Sequence, residues 1–530
     1  MNNKMYKILI AIVATIFFAT ACAPLAKTVI PTEALPTKQA SEGPTTVPTE
    51  APNAAPTEVP TEVPTEAPIE FTKTIAEEEG YWYSRYNMGN LAMMSGLGET
   101  FMPEMSVMEA MIAMADNNPD DGDVPMPPVN ASLLKSVYAS GDPHYVQAID
   151  MMDFGTQRWD PATFDRTITP RAMGWLIIKE IEWAKQFHVD EHFGTPSDNF
   201  GAQWRFVGMV ITAEAKMQTQ YALEMLMNVD GLFANSDGTV DYAGQWVMLE
   251  ALSNMGGALG AEALPNSDSN RYYDEMASGM FLGAADMLFG ALDDRQPADV
   301  EEYSLAIQAL VWYAANTTNA DNKAASIAKI TEFGNSFSTI STSNATENAF
   351  VIRGLIEAYR VSGDATYLST AAATYDALYA DFNFSDGVFT SQSKYTIDDI
   401  GVLLGAVNSV ILFAGDMVDQ TQAEELFTAV YLNLVNKSGI QLSVPPLEVG
   451  KDKFEQAHPE LFYGYPTIPL PPMAGGDYGI APVFASEITY TSGQWEVTDP
   501  RFDSAGAMHT SNEFIWFHND EVNGFPVISQ

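Results

Sequence analysis

The chain has 530 residues, with 25 Lys and Arg against 69 Asp and Glu, for a formal net charge of −44. A phosphate-binding surface needs clustered cations, so this balance excludes nucleic-acid binding and docking on anionic lipid through a polybasic face. Hydrophobic residues make up 46%, enough for a large core, and the single cysteine excludes both an internal disulfide framework and a Cys-based zinc cluster.

The first 22 residues read as a processing signal. Lys4 and Lys7 precede an uncharged apolar run over 8–18, too short to span a bilayer stably. Ala19-Thr20-Ala21-Cys22 follows, and these residues resemble the bacterial lipobox. The resemblance implies cleavage of residues 1–21 and acylation of Cys22 at its sulfur and its new amino terminus. Two or three acyl chains anchor a protein stably where one does not. The expected address is therefore extracytoplasmic, on the bacterial cell membrane, with the membrane as a partner through the lipid. Residues 22–70 form a linker in which PTE units recur from Pro56. Proline fixes φ and removes donors, so this stretch reads as a polyproline-II-like spacer of about 3.1 Å per residue. The linker holds seven Glu and two Lys, so most of the acidity belongs to residues 71–530.

Apolar periodicity predicts helices over 172–187, 203–227, 241–255, 272–292, 300–315, 322–333, 346–361, 365–379, 397–413 and 422–434. Strand-like alternation is scarce before about residue 440. One segment echoes another. Asp230-Gly231-Leu232-Phe233 and then Val240-Asp241 correspond to Asp386-Gly387-Val388-Phe389 and then Ile397-Asp398. Glycine supplies a left-handed turn, the aliphatic-Phe pair re-enters the core, and a carboxylate opens the next helix. The second helix of each repeat is read as starting near 203, 241, 301, 346 and 397. From about 440 the chain turns Pro- and Gly-rich, with β-type stretches at 487–490 and 513–517.

Repeated hairpins at this spacing resemble the (α/α)6 toroid of six-hairpin glycosidases and of relatives such as N-acylglucosamine 2-epimerase. Gly363-Asp364-Ala365-Thr366-Tyr367-Leu368, followed by Asp386-Gly387-Val388-Phe389, is similar to hairpins of that superfamily. Gly141-Asp142-Pro143-His144-Tyr145-Val146 is a looser copy. The resemblance implies an all-α fold: a toroid over 71–438, with residues 439–530 a partly β arm packed on it. A small independent β-module is the other reading of 439–530. No catalytic signature of the superfamily is matched, so no residue role is carried over.

In such a toroid the leading ends of the inner helices share one mouth. The residues expected there are Trp204, Arg205, Asp241, Tyr242, Trp246, Glu301, Glu302, Glu347, Asp398 and Asp399. Asp241, Asp398, Asp399 and Glu347 are the catalytic candidates, because glycoside hydrolysis needs one carboxyl to protonate the leaving oxygen and a second to activate water or attack. Trp204, Arg205, Tyr242 and Trp246 are the candidate sugar contacts. Each acid also suits a helix cap, and each Trp also suits the core. His188 and His192, or His509 and Glu513, have metal-pair spacing. Residues 116–123 hint at a calcium loop but lack its glycine and terminal acid. No metal or cofactor is expected. Two functions follow: glycan handling by a surface lipoprotein, as a glycoside hydrolase or a related enzyme, or non-catalytic binding of a glycan or peptide.

Overall fold

The structure, a computed structural model, describes residues 71–116, 124–188, 197–263, 269–445 and 475–514. The lipobox, the linker, His192 and most of the calcium-loop candidate lie outside these residues. Helix dominates. The thirteen α-helices among the described residues are α1 (Lys73–Gly89), α2 (Met105–Ala115), α3 (Pro170–His188), α4 (Ser197–Tyr221), α5 (Tyr242–Gly260), α6 (Glu275–Ala291), α7 (Val300–Asn316), α8 (Ala320–Phe337), α9 (Ala345–Ser362), α10 (Ala365–Asp381), α11 (Ile397–Phe413), α12 (Gln420–Val430) and α13 (Ser504–Phe514). None is long and apolar enough to cross a membrane.

Six of these pack in cyclic order. α3 lies against α5, α5 against α7, α7 against α9, α9 against α11, α11 against α13, and α13 against α3 again. Each carries a partner: α4 on α3, α6 on α5, α8 on α7, α10 on α9, α12 on α11, and α1 on α13. The sequence explains the two kinds of helix. α5 and α11 are buried on nearly every side, and their apolar residues form no single stripe. α10 instead buries one face through Tyr367, Leu368, Ala371, Tyr375 and Leu378, the spacing of a helix with one wet side. Each large apolar side chain taken from water contributes about 1.5–3 kcal/mol.

The twin segments behave alike. Gly231 and Gly387 both adopt positive φ, at 83° and 71°. The phenylalanines that follow, Phe233 and Phe389, are buried. The Gln245 side chain clamps the Phe233 backbone on both its N–H and its carbonyl, at 2.7 and 2.8 Å. The Tyr395 hydroxyl accepts from Phe389 N at 3.1 Å.

Two expectations change. The helix expected from 203 is α4, which packs on α3 as a partner, while the cyclic set begins with α3 at Pro170. The β-type reading of 513–517 is replaced, as far as it is described, by α13. Packing against α11 and α3 decides the conformation. The segment before α13 is β-rich. β2 (Lys394–Thr396), β3 (Glu487–Thr491) and β4 (Gln494–Asp499) make an antiparallel sheet in the order β2-β3-β4, and β5 (Phe502–Asp503) pairs with β1 (Ser140–Gly141).

Close approach of α11 to α13 requires glycine. A Cβ at Gly401 would lie 2.8 Å from Thr510 Cα, and one at Gly405 would lie 1.9 Å from Glu513 Oε2. Gly405→Ala is therefore expected to cost about 1–3 kcal/mol. Gly279→Ala, on an open face of α6 where an added Cβ would meet nothing within 4 Å, is expected to gain about 0.5–1 kcal/mol. Urea denaturation of both variants checks the pair. Equal effects would contradict this packing.

Candidate functional site

The cyclic helices open with capping side chains. The Thr169 hydroxyl accepts from Ala172 N, Asp241 from Ala243 and Gly244 N, Asp299 from Glu302 N, Asn344 from Glu347 N, and Thr396 from Asp399 N. At the start of α13, Asp503 accepts from Ala505 N at 3.2 Å. Capping places Asp, Asn and Thr at these ends, and the packing brings several of them together.

A cavity of about 210 Å³ lies there, lined by Thr169, Arg171, Asn235, Asp241, Asp503 and Ala505 among others. Arg171, in the first turn of α3, donates to Glu301 of α7 and to Asp398 of α11, the latter at 3.4 Å. The other Asp398 oxygen lies 2.7 Å from His509 Nδ1 on α13. The imidazole is 2% exposed, stacks on Trp175 at 4.4 Å and 19°, and places Nε2 3.5 Å from Glu513 Oε1. The carboxylate of Asp398 thus bridges a half-buried guanidinium and a buried imidazole.

The charges set each other. Desolvation would raise Asp398, but His509 and Arg171 prevail and hold it down at about 2. Burial would lower His509, but Asp398 and Glu513 hold it up at about 9, so it is cationic at neutral pH. Arg171 is raised, against burial, by Asp398, Glu301 and Asp241. Burial and the Asp398 charge push Asp503 up, against Arg171. Burial likewise raises Glu301, with Arg171 opposing and Asp398 adding. Neighbouring carboxyls are thereby driven apart, the arrangement a proton donor and acceptor require.

Of the sequence candidates, Asp241 and Asp398 meet around Arg171. Asp399 sits in the capping box of α11, with its carboxylate accepting Thr396 N at 2.8 Å; burial raises its pKa. Glu347 folds back on Ser343, accepting from its N and Oγ at 2.5 and 2.8 Å. Trp204 is buried, parallel to Phe187 at 5.2 Å and beneath Arg85 at 4.2 Å. Arg205 Nε donates to Ala115 O at 2.8 Å. Tyr242 lies under Arg295 at 4.0 Å, and the fully buried Trp246 donates to Glu302 at 3.3 Å. None of these six is among the residues that line the cavity. Sequence reasoning missed Arg171 and Asp503. Thr169-Pro170 is a helix-start signal that could have found Arg171, whereas Asp503 follows from pairing of distant segments. Among the described residues no group of three or more His, Cys, Asp or Glu is arranged to hold a metal.

No family model and no curated protein matches the chain. A solved sugar epimerase from a ruminal bacterium is similar at 11% identity, over 67% of this chain and 89% of that one, with a TM-score of 0.39.

Linkage gives the site a pH signature. His509 is raised in the fold, so its contribution is complete below its unfolded value near 6.5 and is lost as pH climbs through about 9. Wild-type stability is expected to fall by on the order of 3 kcal/mol across that window from this group. His509→Gln, less stable at pH 6, should show a flatter decline from 6.5 to 9. Glu250, raised to about 8 mainly by burial, leaves a residual slope because its proton is lost from the unfolded chain first. Denaturant midpoints at several pH values test this, and an unchanged slope would contradict the assignment.

Proposed function

We propose that the chain is a surface-anchored lipoprotein whose (α/α)6 toroid hydrolyses glycans. The cyclic packing of six helices, each with a partner, supports the toroid. The observation that carries the chemistry is the cavity shared by Asp241, Asp503 and Arg171. In this reading Asp503, pushed up by burial and by Asp398, is the acid that carries the proton. It gives that proton to the glycosidic oxygen as the C1–O bond breaks. Asp241 takes a proton from the water whose oxygen attacks C1. Arg171, braced by Glu301 and Asp398, orients the sugar hydroxyls.

One observation favours non-catalytic glycan binding instead. Both oxygens of Asp241 already accept hydrogen bonds from the first turn of α5. A broad glycan panel separates the two. Hydrolysis predicts turnover that falls by at least about 100-fold in Asp503→Asn and in Asp241→Asn. Binding without turnover on any glycan favours the second reading.

The anchor is tested separately. Cys22→Ser is expected to abolish labelling by radioactive palmitate and to move the protein out of the membrane pellet. Labelling that survives the change would remove the lipoprotein reading.

A further inference from the structure

We infer that the cavity selects an amine-bearing glycan, with the ammonium of a de-N-acetylated amino sugar seated between Asp241 and Asp503. The inference rests on the glycan reading above and adds the substrate class.

Charge and hydrogen-bond chemistry carry it. Arg171 is the one cationic residue among those lining the cavity, and its guanidinium is engaged by Glu301 and Asp398. Apart from the Thr169 hydroxyl, which can also donate, the remaining side chains of the lining offer acceptors. Asp241 and Asp503 contribute carboxyls from opposite segments of the chain. Asn235 spends its Nδ2 on Thr239 Oγ1 at 2.9 Å, which leaves Oδ1 buried with no hydrogen-bond partner. A ligand that satisfies this lining brings donors, and one that also brings positive charge is answered by the carboxyls of Asp241 and Asp503, since Arg171 is already engaged by Glu301 and Asp398. Hydrogen bonds from a cation to a carboxylate are the strong kind. The cavity, at about 210 Å³, has room well beyond the ~10–15 Å³ that a single water needs. N-acetylation would replace the ammonium with a neutral amide and add bulk beside it. The acidity of residues 71–530 points the same way, because a strongly negative surface steers polycations toward a cleft and repels polyanions.

The test is calorimetric binding of three hexasaccharides to the full chain in detergent: fully de-N-acetylated glucosamine hexamer, its N-acetylated counterpart and a neutral glucose hexamer. The de-N-acetylated hexamer is expected to bind at least 10-fold tighter than either of the others. Asp241→Asn and Asp503→Asn should each remove that preference while keeping the melting temperature close to wild type, since Asn caps helices as Asp does. Equal or tighter binding of the N-acetylated or neutral hexamer overturns the inference and leaves the glycan reading intact. A preference untouched by both substitutions also overturns it, because general surface charge then accounts for the binding. Failure of all three to bind overturns the glycan reading itself.

Discussion

A guanidinium shared by carboxylates holds the mouth of this protein together. Arg171 belongs to the first turn of α3, Glu301 to α7 and Asp398 to α11, so one side chain ties three helix starts. Asp398 passes the connection to His509 on α13. A bare carboxylate in a poorly hydrated interior is costly, and each charge in this string is tolerated because its neighbour has the opposite sign. The cavity wall therefore rests on an electrostatic scaffold, with Asp241 and Asp503 the members that reach the cavity.

The same logic continues inward. Glu513 lies 3.6 Å from Arg353, Arg353 bonds Glu357 at 3.1 Å, and Glu357 bonds Arg360 at 2.7 Å. Buried Lys179 donates to Ser511 O at 2.5 Å, and Lys185 joins Glu182 and Asn254. Five of the six cyclic helices (α3, α7, α9, α11 and α13) contribute ion-paired side chains to these links. Their neighbours must leave room for them, as Gly405 does for Glu513. Between α3 and α4 the solution differs. Glu180 and Glu214 are fully buried and both raised well above the normal carboxylate range, chiefly by burial. Each uses one oxygen, on Gln218 and on Leu134 N, and keeps the other unpartnered, which is the arrangement of acids that retain a proton.

Ten helices, α3 to α12, were legible because their apolar residues recur with helical period and their boundaries carry Asp, Asn, Gly and Pro. The shared Asp-Gly-aliphatic-Phe turns were legible for the same local reason. The assignment of helices to the cyclic set was less so. The long apolar segment from 203 competes with the one from 170, and only packing shows that α3 takes the ring position. α13 escaped because its buried face carries His509, Thr510, Ser511, Asn512 and Glu513, polar residues that defeat a hydrophobic pattern. Asp398 and Asp241 could be picked as helix-opening acids. Distinguishing them from Asp399 and Glu347, which open helices equally well, needed the third dimension.

The non-local pairing has a consequence for how the site comes to exist. α1 and α13, separated by most of the described chain, are partners, and Ser84 Oγ donates to Ser511 O at 2.9 Å across that gap. β5 joins β1 immediately before α13 and carries Asp503 to the cavity, while Ser504 N donates to Ala139 O at 3.0 Å. Until residues 502–514 dock, Asp398 lacks His509, the cavity lacks Asp503, and α11 exposes the glycine face that α13 covers. The interactions that complete the cyclic packing are thus the ones that complete the site, and loss of either is loss of both.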